Sequence, residues 1–208
     1  MNSLQKSEKS IRAFIAVEVS EEVRKNLETV IFALKKSSAH VKWVPKKNIH
    51  LSLAFLGNIP ESIIERLCHA LDNVSESICP FSFEVADIGA FGDRRSLRVV
   101  WAGVYNTDQL KTLQKRISDS LCSIGLTFES REFKPHLTLG RVRSRQDSNS
   151  LRKMIDKVGS VAFGKVNVSR ILLMESVLCP TGAEYSILHK ALLNRVLRNQ
   201  QISQNSME

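Results

Sequence analysis

The chain has 208 residues, with 30 Lys and Arg against 21 Asp and Glu and a formal net charge of +9. At 43% hydrophobic and 25% charged residues it has the composition of a folded globular protein, which excludes a disordered or fibrous chain. No apolar run approaches the roughly 20 residues of a membrane span, and the polar first ten residues lack the apolar stretch of a secretory leader. The basic excess fits a polyanionic partner, nucleic acid above all, or simple solubility. Cys68, Cys79, Cys122 and Cys179 are scattered without paired spacing. They argue against a zinc site and suit a reducing cytoplasm.

Arg12–Val19 is rich in apolar and β-branched residues and reads as a buried strand. Ser20 followed by Glu21 and Glu22 opens a helix, with Val23, Leu27, Val30, Ile31 and Leu34 on one face. Val41–Val44 and Ile49–Leu56 read as strands, and Pro60-Glu61 as a helix start. That helix carries a stripe of Ile63, Ile64, Leu67, Leu71 and Val74. Phe81–Ile88 and Leu97–Tyr105 are strand-like, and Asn106–Asp108 begins a helix with Leu110, Leu113, Ile117 and Leu121 on one side. Phe133–Val142 is a strand interrupted by Pro135, and Leu151–Val158 a short helix. Val166–Leu178 and Glu184–Leu193 read as closing strands, the last with helical character as an alternative. No long linker interrupts the chain, so residues 11–193 form one domain between polar tails at 1–10 and 194–208.

The pattern repeats with a shift of 86 residues. Ile11, Arg12 and Ala16 fall on Leu97, Arg98 and Ala102. Lys25, Leu27 and Ile31 fall on Lys111, Leu113 and Ile117. His50-Leu51-Ser52-Leu53 falls on His136-Leu137-Thr138-Leu139. The expected architecture is α+β and bilobal. Two antiparallel sheets are related by a pseudo-two-fold axis, with helices on the outer faces and a central cleft.

Alternation along a strand puts His50 and Ser52 on one face and Leu51 and Leu53 on the other, and likewise His136 and Thr138 against Leu137 and Leu139. If the lobes face each other, two imidazoles and two hydroxyls share the cleft. Two histidines titrating near neutrality divide acid and base work. Ser and Thr hydroxyls donate to non-bridging phosphate oxygens between them. That set suits in-line attack on a phosphodiester and calls for no metal, since two His fall short of the usual three protein ligands.

Trp43-Val44-Pro45-Lys46-Lys47-Asn48-Ile49-His50-Leu51-Ser52-Leu53-Ala54-Phe55-Leu56-Gly57 resembles the first signature of the two-histidine phosphoesterase superfamily. Phe133-Lys134-Pro135-His136-Leu137-Thr138-Leu139-Gly140-Arg141-Val142 resembles the second. Arg12-Ala13-Phe14-Ile15-Ala16, Phe91-Gly92 and Val100-Trp101-Ala102-Gly103-Val104 also fit. Within the superfamily the chain is most similar to the bacterial RNA 2′,3′-cyclic phosphodiesterases, also called the 2′-5′ RNA ligase family.

The resemblance implies metal-independent hydrolysis of an RNA terminal 2′,3′-cyclic phosphate to a 2′-phosphomonoester, with 2′-5′ joining as the reverse chemistry. It implies His50 as proton donor and His136 as proton acceptor, although the repeat makes the two roles nearly symmetrical. Ser52 and Thr138 are expected to bind the phosphate, with Arg141 and Phe55 as further substrate-binding candidates. Strict alternation turns Arg141 away from Thr138, so it reaches the cleft only if the strand bulges near Gly140. Gly140 itself stands where a larger residue is usual. No cofactor and no membrane partner are expected, and the chain is expected to act as a cytoplasmic monomer on RNA. The alternatives are a module that holds RNA ends or nucleotides without turnover, and a phosphodiesterase for a small cyclic nucleotide or an ADP-ribose cyclic phosphate. A basic rim is expected around the motifs: Lys42, Lys46 and Lys47 before the first, Arg94, Arg95 and Arg98 at the second repeat. Arg131, Lys134, Arg141, Arg143, Arg145, Arg152, Lys153 and Lys157 surround the second motif.

Overall fold

Strand β1 (Ser10–Glu18) is buried along most of its length and forms an inner strand of the first sheet. This structure is a computed structural model that describes residues 9–93, 96–126, 132–144, 148–180 and 182–194. Most of the tails, and Arg94, Arg95, Arg131 and Arg145 of the expected basic rim, lie outside the described residues. Helix α1 (Glu21–Leu34) starts where its Ser20 hydroxyl accepts the Val23 N–H. Strand β2 (Val41–Trp43) and a 3-10 turn (Lys46–Asn48) lead into β3 (His50–Pro60). A second 3-10 turn (Glu61–Ile63) precedes α2 (Ile64–Glu76), so the residues after Pro60 form one tight turn before the α-helix. Strands β4 (Phe81–Gly92) and β5 (Leu97–Tyr105) form a hairpin, followed by α3 (Asp108–Ser123). Strand β6 (His136–Val142) begins after Pro135, which ends the preceding segment and does not interrupt the strand. After α4 (Ser148–Val158), the expected single strand at 166–178 is two, β7 (Ala162–Val168) and β8 (Arg170–Cys179). The chain closes with β9 (Gly182–Leu192), a strand throughout.

The two sheets have the orders β3-β1-β8-β9 and β2-β6-β5-β4-β7, with every pairing antiparallel. The repeat reappears as β3-β1-β8 beside β6-β5-β4. Each sheet therefore draws strands from both halves of the chain, so a lobe is not a sequence half. The helices exchange as well: α1 follows β1 yet packs on β7, while α3 follows β5 yet packs on β3. Helices α2 and α3 cover the first sheet, and α1 and α4 the second. Their buried stripes (Val23, Leu27, Ile31 and Leu34 on α1; Leu110, Leu113, Ile117 and Leu121 on α3) close the cores. Leu51, Leu53, Leu137 and Leu139 point into these cores. Among the described residues the helices pack on these core faces and leave the opposite sheet faces bare, and β3 lies beside β6. Strand β2, just before the first motif, pairs with β6 in the second, and the Val44 N–H donates to the Leu139 carbonyl (2.8 Å). The two motifs are thus stitched together by main chain.

Candidate active site

His50 and His136 each open a strand, and each ring is tied down the same way. The Nδ1–H of His50 donates to the Asn48 carbonyl (2.8 Å), and that of His136 to the Lys134 carbonyl (2.7 Å). A carbonyl only accepts, so Nδ1 carries the proton and Nε2 of the neutral ring is left as the basic atom. The two carbonyls are themselves one repeat apart. Next to Nε2 of His50 lies the Ser52 hydroxyl at 3.0 Å. Ser52 and Thr138 are half-buried on the bare faces, as alternation requires.

The rings differ in what surrounds them. His50 packs at 4.8 Å from Phe14 and meets Tyr185 edge-on at 5.4 Å. Asn48 is 7% exposed and donates from Nδ2 to the Ala183 carbonyl (2.8 Å), which fastens the first motif to the start of β9. Burial holds the His50 pKa below the ordinary histidine value; the Asn48 carbonyl opposes this and the charge of Arg24 adds to it. Among the described residues His136 has one aromatic neighbour, Phe91, edge-on at 5.0 Å, and Phe91 leans on Trp101 at 5.4 Å.

A bulge answers the objection to Arg141. Between Trp101↔Thr138 and Val100↔Gly140 the register skips Leu139, so Arg141, opposite Val99, returns to the face of Thr138. The first motif does the same. Ala16↔Ser52 and Ile15↔Ala54 skip Leu53, and Phe55, opposite Phe14, returns to the face of Ser52. The skipped leucines are one repeat apart. Both side chains are open to solvent, Phe55 at 60%. Gly140 is small because of β2 beside it: a Cβ there would lie 2.7 Å from Val41 Cγ1 and 2.8 Å from the Trp43 ring.

Of the expected basic rim, Lys42 pairs across from Arg141 and shares its face. Lys46 does not join, because Glu21 (2.6 Å) and Glu28 (3.7 Å) hold its ammonium. Lys134 is paired with Glu132 (3.0 Å). His189 bonds Asp72 of α2 on the helix side of its sheet (2.7 Å) and plays no part here. Phe14, Asn48 and Phe91 were visible inside the motif strings but carried no role from spacing. Tyr185 and Arg24 carried no signal, because only the sheet order and the α1 packing bring them to His50. Among the described residues no three His, Cys, Asp or Glu side chains converge as a metal group.

A duplicated α+β fold with one imidazole and one hydroxyl per copy on a bare sheet face defines a two-histidine phosphoesterase. Residues 17–101 and 104–185 each match the family model described as LigT like Phosphoesterase, and the chain belongs to that family. Two successive matches restate the internal repeat. An RNA 2′,3′-cyclic phosphodiesterase of Thermotoga maritima is 36% identical over 180 residues, covering 86% of this chain and 94% of the relative. One from Methanothermobacter thermautotrophicus is 32% identical over 176 residues, covering 85% and 95%. A crystal structure from Thermus thermophilus superposes with a TM-score of 0.74 at 26% identity, over 89% of this chain and 98% of that one. E. coli LigT in complex with 3′-AMP shares the fold, with a TM-score of 0.72 at 23% identity over 89% and 99%.

Proposed function

We propose that the protein hydrolyses the 2′,3′-cyclic phosphate at RNA ends to a 2′-phosphomonoester, with the two histidines dividing the proton transfers. The observation that carries this is the matched pair of imidazoles. Each has Nδ1–H fixed on a main-chain carbonyl, which leaves Nε2 as the basic atom, and each shares its strand face with a hydroxyl two residues on; Ser52 Oγ lies 3.0 Å from His50 Nε2. Ser52 and Thr138 donate to the non-bridging oxygens, and Arg141 adds a cation on the same face. Water attacks phosphorus, His136 takes its proton, and His50 delivers a proton to the departing 3′-oxygen. Desolvation holds the His50 pKa below the ordinary histidine value in the free enzyme, and the arriving phosphate anion favours its imidazolium. Both halves of the site come from one chain, which supports action as a monomer. Four free cysteines support a cytoplasmic setting.

The test is turnover of a defined 2′,3′-cyclic-phosphate oligonucleotide in EDTA, with the product phosphate located. The expected product carries it at the 2′ position. Tight binding without turnover of any cyclic phosphate would make the protein a binding module instead. Turnover of mononucleotide or ADP-ribose cyclic phosphates with none of oligonucleotides would move the substrate class.

A further inference from the structure

The bare face of the first sheet continues past His50. A cavity of about 410 Å³ opens there, within the range of ligand sites. Its floor is apolar and comes from three strands: Ala16 of β1, Leu172 and Met174 of β8, and Tyr185 and Ile187 of β9. Register puts them on the His50 face, since Ala16 pairs with Leu172, Phe14 with Met174, and Met174 with Ile187. No residue of the second sheet lines it. A phosphate held between the two motifs therefore sits at its edge and does not fill it.

The walls are charged. Arg24 reaches in from α1, its Nε–H donating to the Ile49 carbonyl (3.3 Å), and Lys47 stands on the turn before His50. Among the described residues neither has an acidic partner within ion-pair distance, in contrast to Lys46 beside them. Of the two carboxylates at the cavity, Glu18 is neutralised by Arg170 (Nε to Oε2, 2.6 Å). Glu184 stands exposed at the rim as an acceptor suited to a ribose hydroxyl. Two cations without an acidic partner among the described residues, an apolar floor and one acceptor match the three parts of a ribonucleotide: phosphate, base and sugar.

We infer that this cavity is a subsite for the nucleotide adjoining the cyclic-phosphate end of the same RNA chain. Its phosphodiester lies on Arg24 and Lys47 and its base on Met174, Tyr185 and Ile187. This deepens the function proposed above and rests on it. Hydrolysis uses water and so brings no second strand, which makes the same chain the occupant.

The test reads binding, so it does not depend on turnover. A mononucleotide 2′-phosphate and the dinucleotide that extends it by one 5′ residue are titrated into wild type, Lys47→Ala, Arg24→Gln/Lys47→Ala and Ile187→Asp, over a salt series. Lys47 and Ile187 are exposed, so these two single changes leave the fold intact. Wild type should bind the dinucleotide at least tenfold more tightly, with a salt slope steeper by about 0.7, the value for one added single-strand phosphate contact. In the double variant and in Ile187→Asp that advantage should shrink to about twofold or less. Equal affinity for the two ligands in wild type, or an advantage that survives in the double variant, overturns the subsite. Equal competition by a dinucleotide with free hydroxyls at both ends assigns the cavity to a joining partner and overturns it too. If wild type turns over no cyclic end, the function fails on its own, and these titrations still judge the cavity.

Discussion

The two copies of the His-x-hydroxyl motif are nearly alike as strings and unlike as environments. His50 is enclosed by Phe14 and Tyr185, and its supporting carbonyl belongs to a buried asparagine anchored on β9. His136 rests on one aromatic edge, and its carbonyl belongs to exposed Lys134. A duplicated backbone delivers the same tautomer twice, while among the described residues packing sets two aromatic rings against His50 and one against His136. Near-symmetry of sequence is therefore compatible with a fixed division of roles, because protonation follows environment and not motif.

The comparison breaks most sharply at the rings themselves. His50→Ala and His136→Ala should each lower kcat by about 10²–10⁴-fold, the usual worth of a general acid or base. The two losses should be similar. A histidine whose removal costs less than tenfold has no proton to move, and the paired mechanism would be wrong. The pH profile then separates the roles. With His50 as donor, kcat/KM needs its imidazolium in the free enzyme and falls as pH rises, beginning below the ordinary histidine range. The corresponding fall in kcat should come at higher pH, since bound phosphate favours the charged ring. Arg24→Gln removes a charge that depresses His50, so it should move the basic limb of kcat/KM upward. Movement of the acidic limb instead would make His50 the base.

Anchoring comes next in size. Asn48→Ala deletes the amide that bonds the Ala183 carbonyl inside the fold, at about 1–3 kcal/mol of stability by thermal or denaturant unfolding. It should also lower kcat by roughly tenfold through a loosened His50, an effect on the order of 1.4 kcal/mol. Lys134→Ala, its counterpart one repeat on, should change kcat by no more than about twofold and stability by no more than about 0.5 kcal/mol, because the main-chain carbonyl stays and the side chain is exposed. Equal effects at the two positions would erase the asymmetry.

Much of this was legible in the sequence, for physical reasons. His50, Ser52, His136 and Thr138 could be placed on one face because period-two alternation is a property of any strand. The shift of 86 residues then predicted that the faces come as a pair. Which strands share a sheet was not legible, because β8 joins β1 and β7 joins β4 by pairing over a long stretch of chain. Tyr185 and Arg24 were invisible for that reason. The bulges at Leu53 and Leu139 were half legible: Gly140 hinted at one, but an extra residue in a ladder leaves no mark on hydrophobic periodicity. Lys46 was read as part of the rim from charge alone, and only the position of α1 shows that Glu21 and Glu28 claim it.

The smallest effect tests whether the hydroxyls are interchangeable where the rings are not. Ser52 stands at the register of Thr138 and already holds its Oγ 3.0 Å from His50 Nε2. Threonine there keeps the donor and adds a methyl that narrows χ1. Its cross-strand neighbour is Ala16, a side chain small enough to leave room beside it. Ser52→Thr should therefore change kcat/KM on a cyclic-phosphate oligonucleotide by no more than about threefold, while Ser52→Ala loses a charge-assisted bond to phosphate worth about 1.5–3 kcal/mol. If threonine proves as damaging as alanine, the enclosure of His50 by Phe14 and Tyr185 extends to Ser52 and fixes its rotamer by packing. The two copies would then differ in their phosphate grip as well as in the packing of their rings.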